Sequence, residues 1–413
     1  SGGGVLLQLG ILAGGFLAGR LTSRGKGRRG EEAFATPAKS AGGSIAGTPD
    51  SKMRRAIHDE VSHLATMASP MGVKQLKFGG DSDTDLSIIQ KKVILFPTPL
   101  VDMLKRCEDW DFDVFACAEL DRTANGGQCL ATVAYYLFHE YRLPQTFDIP
   151  DSVLVAWLQT MEAGYADLPF HSALHAADVL LGVHHLLQAG DLLSWMEDVE
   201  VLGLLVAAVI LDYGHPGVSN QFLVNAGDAR ALLYNDVSVL ENHHCACAFM
   251  AMRSEGCGIL GNLPAQDRAA VRSMVIQLVL STDMAEHFNF VNLFRTRCSM
   301  GLEVASAEDR MTILKMVLKT ADIAYVARPP EAAARWGNML AEEFFAQGEQ
   351  ERALGLAVSP LCDRATTDVA KSQAGFIAFI AQPLIEAFAL FSPAGEGLLL
   401  RLTRGGDQLQ LTG

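Results

Sequence analysis

Several things are missing from this 413-residue chain, and each absence narrows what it can be. Its eight cysteines form no CxxC pair, and Cys245 and Cys247 would point to different sides of a helix, so the set reads as reduced core thiols of a cytosolic domain. Positive charge is in short supply: 33 Lys and Arg stand against 47 Asp and Glu, a formal net charge of −14. That balance leaves no basic face for nucleic acid, and an anionic small molecule would bind only with the help of a cation. No apolar stretch runs unbroken for the roughly 20 residues of a bilayer span. The nearest approach, Val5 to Leu21, is glycine-rich and is interrupted by Gln8 and Arg20. From Pro99 to Phe391 strand signals and internal repeats are also lacking.

What is present, with 49% of residues hydrophobic, is enough apolar material to bury a large core. Residues 1–30 are apolar and then basic (Arg20, Arg24, Lys26, Arg28, Arg29), which leaves two readings open: a membrane-proximal segment or a weakly amphipathic tail. Residues 31–98 read as a linker and loosely structured connector, with a short helix over Arg54–Met67 and an extended arm within Met71–Thr98. Beyond Pro99, apolar residues recur at spacings of three and four between turn residues, so 99–392 is expected to be a single all-α domain and 393–413 a tail. Helices are expected over Leu130–Tyr141 and from Asp151 or Ser152 through Ala163. Leu202–Ile210 is apolar all round, which predicts a buried helix that delivers Asp212 to the interior.

The stretch from His171 to His244 holds seven of the eleven histidines, together with Asp178, Asp212 and Glu241. His171 and His175 are four apart and Asp178 follows three later, so on a helix all three line one face. A single histidine on an apolar face is usually a core residue, but here His171, His175, Asp212, His215 and, far downstream, Asp322 all sit at the ends of apolar runs. Burying such carboxylates without cations costs several kcal/mol each. Mixed His and Asp ligation with little sulfur suits zinc, magnesium or manganese, and two metals sharing a carboxylate suit attack by water on phosphorus.

Taken in order, HSALHAAD, DYGHPGVSNQF, LYNDVSVLENHH, LSTDMAEHF, EEFFAQGEQER, SPLCD and KSQAGFIAFI resemble the class I 3′,5′-cyclic nucleotide phosphodiesterases from about Leu104 to Phe391. HPGVSNQFL is similar to the cyclic-AMP-specific animal branch; HAADV, LSTDM and SPLCDR are closer to the calmodulin-stimulated, dual-specificity branch. The resemblance implies a compact multi-helix HD-type domain with a metal site at the bottom of a deep pocket. It also implies hydrolysis of cyclic AMP or cyclic GMP to the 5′-monophosphate by hydroxide that the metals activate. His171 matches the general acid, Glu241 an acidic residue paired with His171 or a metal water, and His215 a histidine near the phosphate. His175, Asp212 and Asp322 match metal ligands for two divalent ions, zinc with magnesium or manganese. Gln373 and Phe376, three apart on one helical face, match the purine-binding amide and aromatic clamp, and Tyr325 stands at a base-contacting position. Cyclic nucleotide is the expected partner, in the cytoplasm; membrane association and a dimer are left open.

The chain departs from the family pattern at Phe170 for tyrosine, Ser172 for asparagine and Tyr325 for asparagine. Most consequentially, Leu211 and Gly214 replace a metal-ligand histidine and a supporting carboxylate. A leucine coordinates nothing, so the expectation is an impaired or altered first metal site of doubtful occupancy, with a catalytically weak or dead nucleotide-binding or partner-binding protein as the alternative. A metal-dependent phosphohydrolase acting on another nucleotide is a third reading, one that leaves Gln373 and Phe376 unexplained.

Overall fold

The computed structural model describes the backbone of residues 93–411 and the side chains of 93–402. The expectations for 1–30 and for most of 31–98 lie outside the described residues. Within them no strand occurs, and the chain is helical as expected. In order the helices are α1 (Thr98–Leu104), α2 (Val114–Asn125), α3 (Cys129–Glu140), α4 (Leu143–Thr146), α5 (Asp151–Gly164) and α6 (Ala173–Ala189). They continue with α7 (Asp198–Ile210), α8 (Asn220–Ala226), α9 (Ala229–Leu233), α10 (Val239–Ala251), α11 (Ala265–Leu280) and α12 (His287–Met300). The last five are α13 (Ala307–Ile323), α14 (Pro330–Ala353), α15 (Val369–Phe376), α16 (Gln382–Ala389) and α17 (Pro393–Leu411).

Two apolar helices hold the centre. In α7 every residue from Glu200 to Ile210 is buried. Its start is fixed by a capping box between Glu197 and Glu200, which satisfies backbone donors that the first turn would otherwise leave unpaired. It lies on α11 so closely that a β-carbon at Gly203 would sit 2.4 Å from Met274 Sδ. Beside it α6 crosses α3 and α13. A β-carbon at Gly182 would meet that of Ala321 at 3.3 Å, so small residues on both helices set the α6–α13 separation. Gly182 lies two turns beyond His175 on the same face, and Ala321 precedes Asp322, so this close approach brings those two polar side chains together.

At the helix starts Asp113 accepts from Phe115 N and Ala116 N, Ser219 from Phe222 N, and Asp368 from Lys371 N. The helix expected after Asp151 or Ser152 begins one residue earlier, with Pro150 in the cap position and Asp151 already in its first turn. The expected tail beyond residue 392 is instead mostly α17, whose Ala394, Leu398 and Leu402 join the main core. Its glycines disguised an apolar face that recurs every four residues. Among the described residues no helix is long and apolar enough to cross a membrane.

Candidate active site

The site opens where α6, α7, α10, α13 and α14 converge. His175, in the first turn of α6 and 1% exposed, directs Nε2 at Asp322 Oδ1 (3.2 Å) and at Asp212 Oδ2 (3.6 Å). Asp322 comes from the last turn of α13, and Asp212 follows α7 by two residues. Ligand-type atoms of the three lie within 4.8 Å of one another. Asp212 Oδ2 is buried with no hydrogen-bond partner, and burial lifts this carboxyl to about 6 even though the charges of His171 and His175 oppose the shift. One imidazole and two carboxylates around an unpartnered buried oxygen make a donor set that fits a divalent cation.

A second group lies against the first. His171 precedes α6, and its Nδ1 is ion-paired with Glu343 Oε1 from α14. The other oxygen of Glu343 accepts the backbone N–H groups of Phe170 and His171, both at 3.1 Å. Burial alone would lower the imidazole, but the Glu343 carboxylate outweighs it and holds His171 at about 9. Conversely, burial opposes ionisation of Glu343, yet the His171 charge and the donated hydrogen bonds keep its carboxyl below the ordinary range. The His215 ring stacks on His171 at 4.0 Å, and its Nδ1 accepts from Gly217 N at 3.0 Å. His171, His215 and Glu343 form a second complete set of ligand-type atoms within 4.8 Å. Burial, reinforced by the His171 charge, pushes His215 well below the usual histidine range.

These two sets overturn the expectation drawn from Leu211. Its side chain is 0% exposed and belongs to the apolar core at the end of α7, and neither set requires a residue at 211. His175, Asp212 and Asp322 are all present and mutually placed, so neither an impaired first metal site, nor doubtful occupancy, nor the dead-enzyme alternative is supported. Position 211 is turned inward by the helix that ends there, so a frame based on chain order alone assigned it a role that packing does not give it. Gly214 has a structural reason of its own: its φ of +74° lets the chain reverse between Asp212 and His215, whose N–H bonds back to the Asp212 carbonyl at 3.0 Å.

Other expectations meet the structure unevenly. Asp178 does not join the cluster; it pairs with Arg328 Nη2 at 2.8 Å in a buried ion pair on another side of α6. The same-face argument fails because α6 starts at Ala173, leaving His171 on the preceding turn. Glu241, on α10, does not meet His171; its carboxylate accepts from Asn220 Nδ2 at 3.0 and 3.2 Å. Burial, with the nearby Asp283 charge, raises it to about 7. Gln373 and Phe376 do come together with Tyr325: the Tyr325 hydroxyl donates to Gln373 Oε1 at 3.0 Å, and its ring stacks on Phe376 at 6.1 Å. Phe170 bridges the two ends, with ring centroids 4.5 Å from His175 and 5.5 Å from Tyr325.

Two residues escaped sequence reasoning. Glu343 left its signal in EEFFAQGEQER, where Glu343, Gln347 and Glu351 recur every four residues and so share one helix face, all three buried. Gln347 accepts from Ser219 N at 2.8 Å and donates to Glu351, which in turn accepts from Ser359 N at 2.6 Å. One face of α14 thus grips the loop before α6, the loop after His215 and the loop leading to α15. His244, at the far end of the histidine-rich stretch, donates Nδ1–H to the Tyr213 carbonyl at 2.8 Å, and burial lowers it to about 3.

An all-α domain with a His–Asp cation group beside a histidine–carboxylate pair is what the fold and site define. Comparison with known proteins narrows this further. A family model described as 3′5′-cyclic nucleotide phosphodiesterase matches residues 170–402, more than half of the chain. The mouse 3′,5′-cyclic-AMP phosphodiesterase 4C is 38% identical over 357 residues, 84% of this chain and 48% of that one. The fruit-fly dual specificity calcium/calmodulin-dependent 3′,5′-cyclic nucleotide phosphodiesterase 1 is 41% identical over 290 residues, 70% of this chain and 34% of that one. The chain therefore matches half or less of the length of these relatives. The crystal structure of the phosphodiesterase domain of the RhoPDE fusion protein from the choanoflagellate Salpingoeca rosetta superposes with a TM-score of 0.69 at 30% identity, covering 74% of this chain and 95% of that one. The chain belongs to the 3′5′-cyclic nucleotide phosphodiesterase family.

Proposed function

We propose that this chain hydrolyses a 3′,5′-cyclic nucleotide to the 5′-nucleoside monophosphate. The observation that carries the proposal is the continuity of the site. A ring-to-ring path from His175 through Phe170 and Tyr325 to Phe376 joins a cation group at one end to an amide and an aromatic face at the other. A phosphate ester attached to a purine spans two such ends.

In this reading His175, Asp212 and Asp322 would hold a divalent ion, which would supply Lewis acidity and lower the pKa of water at the site. Water adds to phosphorus as the P–O3′ bond breaks, and His171 gives its proton to the departing O3′. Glu343 keeps that imidazole charged and oriented, since its carboxylate fixes both the ring and the backbone on either side of it. His215, with Nδ1 occupied by Gly217 N–H, offers Nε2–H as a hydrogen-bond donor beside the acid. Glu241, raised to about 7, is suited to accept the proton lost by the attacking water. Gln373 hydrogen-bonds the purine edge while Phe376 stacks on its face. The glutamine amide serves either purine according to its orientation, so cyclic AMP and cyclic GMP are both substrates in this reading. The domain acts on the cytoplasmic pool of these nucleotides.

The test is release of 5′-monophosphate from both nucleotides by the purified chain across magnesium, manganese and zinc, beside Asp212→Asn. Turnover in the parent that drops by about 1,000-fold or more in the variant is expected, since the variant weakens the cation group. Absence of turnover in the parent with every ion overturns the reading.

A further inference from the structure

One buried cation takes no part in either ligand set. Lys319, on α13 and one turn before Asp322, is 0% exposed and is the one buried lysine among the described residues. Taking an ammonium out of water is strongly unfavourable unless its donors and its charge are both met. The donors are met in full: Nζ reaches the backbone carbonyls of Ser281, Thr282 and Asp283 at 3.0, 3.3 and 3.4 Å. Three acceptors call for three N–H groups, so the cage fits the charged form. The carbonyls follow the last residue of α11, an end at which the helix dipole also favours a cation. Burial lowers the ammonium to about 8, against the charges of Asp322, Asp283, Glu241 and Glu286. Burial, helped by the Lys319 charge, lowers nearby His287 to about 4, so that ring stays neutral and leaves Lys319 to face these carboxylates.

The caged segment leads to Glu241. Asp283 is 6% exposed; one of its oxygens accepts from Ala285 N at 2.8 Å and the other from the Ser238 hydroxyl at 2.7 Å. Ser238 stands in the cap position of α10 with a φ of +43°, a conformation that strains a residue with a side chain and persists only where neighbours impose it. Its carbonyl accepts from Asn242 N at 2.9 Å, which begins the turn that carries Glu241. Asn220 forms a second clasp, accepting from Leu240 N at 2.8 Å and donating to both Glu241 oxygens.

We propose that Lys319 is a positioning residue for the hydrolysis: by holding the Ser281–Asp283 segment it keeps Asp283 against Ser238, and so fixes the first turn of α10 that presents Glu241. One helix, α13, then carries both Asp322 of the cation group and the lysine that sets Glu241, so the two are registered by a single rigid element. This rests on reading Glu241 as the acceptor of the proton that the attacking water loses.

Lys319→Met keeps a long side chain in the core and removes the charge and the donors. Turnover is compared in the parent, Lys319→Met, Glu241→Gln and the double variant, each rate scaled to the folded fraction. Lys319→Met is expected to lower kcat about 10- to 100-fold with KM within about twofold, and to cost nothing further once Glu241 is replaced. Parental kcat in Lys319→Met overturns the proposal. So does an equal loss in both backgrounds, which makes Lys319 a helix cap and nothing more. Should Lys319→Met misfold, Ser238→Ala decides, since it leaves the lysine and the core in place; it is expected to lower kcat about 3- to 10-fold, and only while Glu241 is present. Amide hydrogen exchange needs no substrate and gives the second readout. In either variant Leu240 and Asn242 are expected to exchange at least about tenfold faster while the amides of α6 and α7 keep their parental rates, and parental exchange at Leu240 and Asn242 overturns the proposal. A parent without turnover, or Glu241→Gln with parental kcat, removes the reading of the site instead, and the exchange rates then decide alone whether Lys319 fixes that turn.

Discussion

At the candidate metal end of the site, His171, His175, His215 and His244 are fixed by Glu343, Asp322, Gly217 and Tyr213, partners drawn from turns and helices along most of the chain. At the proposed purine end, Gln373 and Phe376 come from the eight-residue helix α15, and Tyr325 is a shared partner of both. The first region buries several ionisable groups and is held by crossed constraints; the second is a lightly tied wall. Substitutions at the metal end should therefore cost stability or chemistry, and those at the purine end should cost affinity.

The largest expected effect is on stability. Leu211→Ala removes a fully buried side chain beside Asp212 and should lower unfolding free energy by about 2–5 kcal/mol in denaturant titration. A loss under about 1 kcal/mol would break the contrast, because position 211 would then not be a packing position. Next comes Glu343→Gln, expected to reduce kcat by roughly 10- to 100-fold. In the parent, activity should decline as pH rises through about 9, where His171 loses its proton. The stabilisation from the same pair should be complete below the ordinary histidine value of 6.5 and disappear through that upper value. Without the carboxylate, burial lowers the imidazole against only the weaker pull of Asp212 and Asp322, so the alkaline limb of the rate profile should move well to the acid side of 9. An unmoved limb would separate Glu343 from the acid. The smallest effect belongs to the purine end: Phe376→Ala should raise KM about tenfold with kcat nearly constant. A matching fall in kcat would show that the two ends are less independent than their construction suggests.

The same contrast explains what the sequence disclosed. Helices were legible because periodicity is local, whereas the Gln373–Phe376 pair was legible only through the resemblance of KSQAGFIAFI to a known family, its i, i+3 spacing being too common to mark it. His175, Asp212 and Asp322 were legible because polar residues at the ends of apolar helices must meet something. Glu343 lies 172 residues from His171, and nothing local marks their pairing. Asp178 misled because a shared helix face fixes a direction but not a partner, and Arg328 reached it first. Leu211 misled because alignment to a pattern names a position without saying which way its side chain turns.

The polar face of α14 links these regions mechanically. Glu343, Gln347 and Glu351 stand one turn apart and each fastens a different loop. A slide of that helix by a single turn, about 5.4 Å, would carry the proton donor, the segment after His215 and the approach to α15 along together. The helix therefore works like a camshaft with three lobes. Natural variation or engineering that shifts its phase would retime all three loops at once, and adjusting one alone means recutting its own lobe.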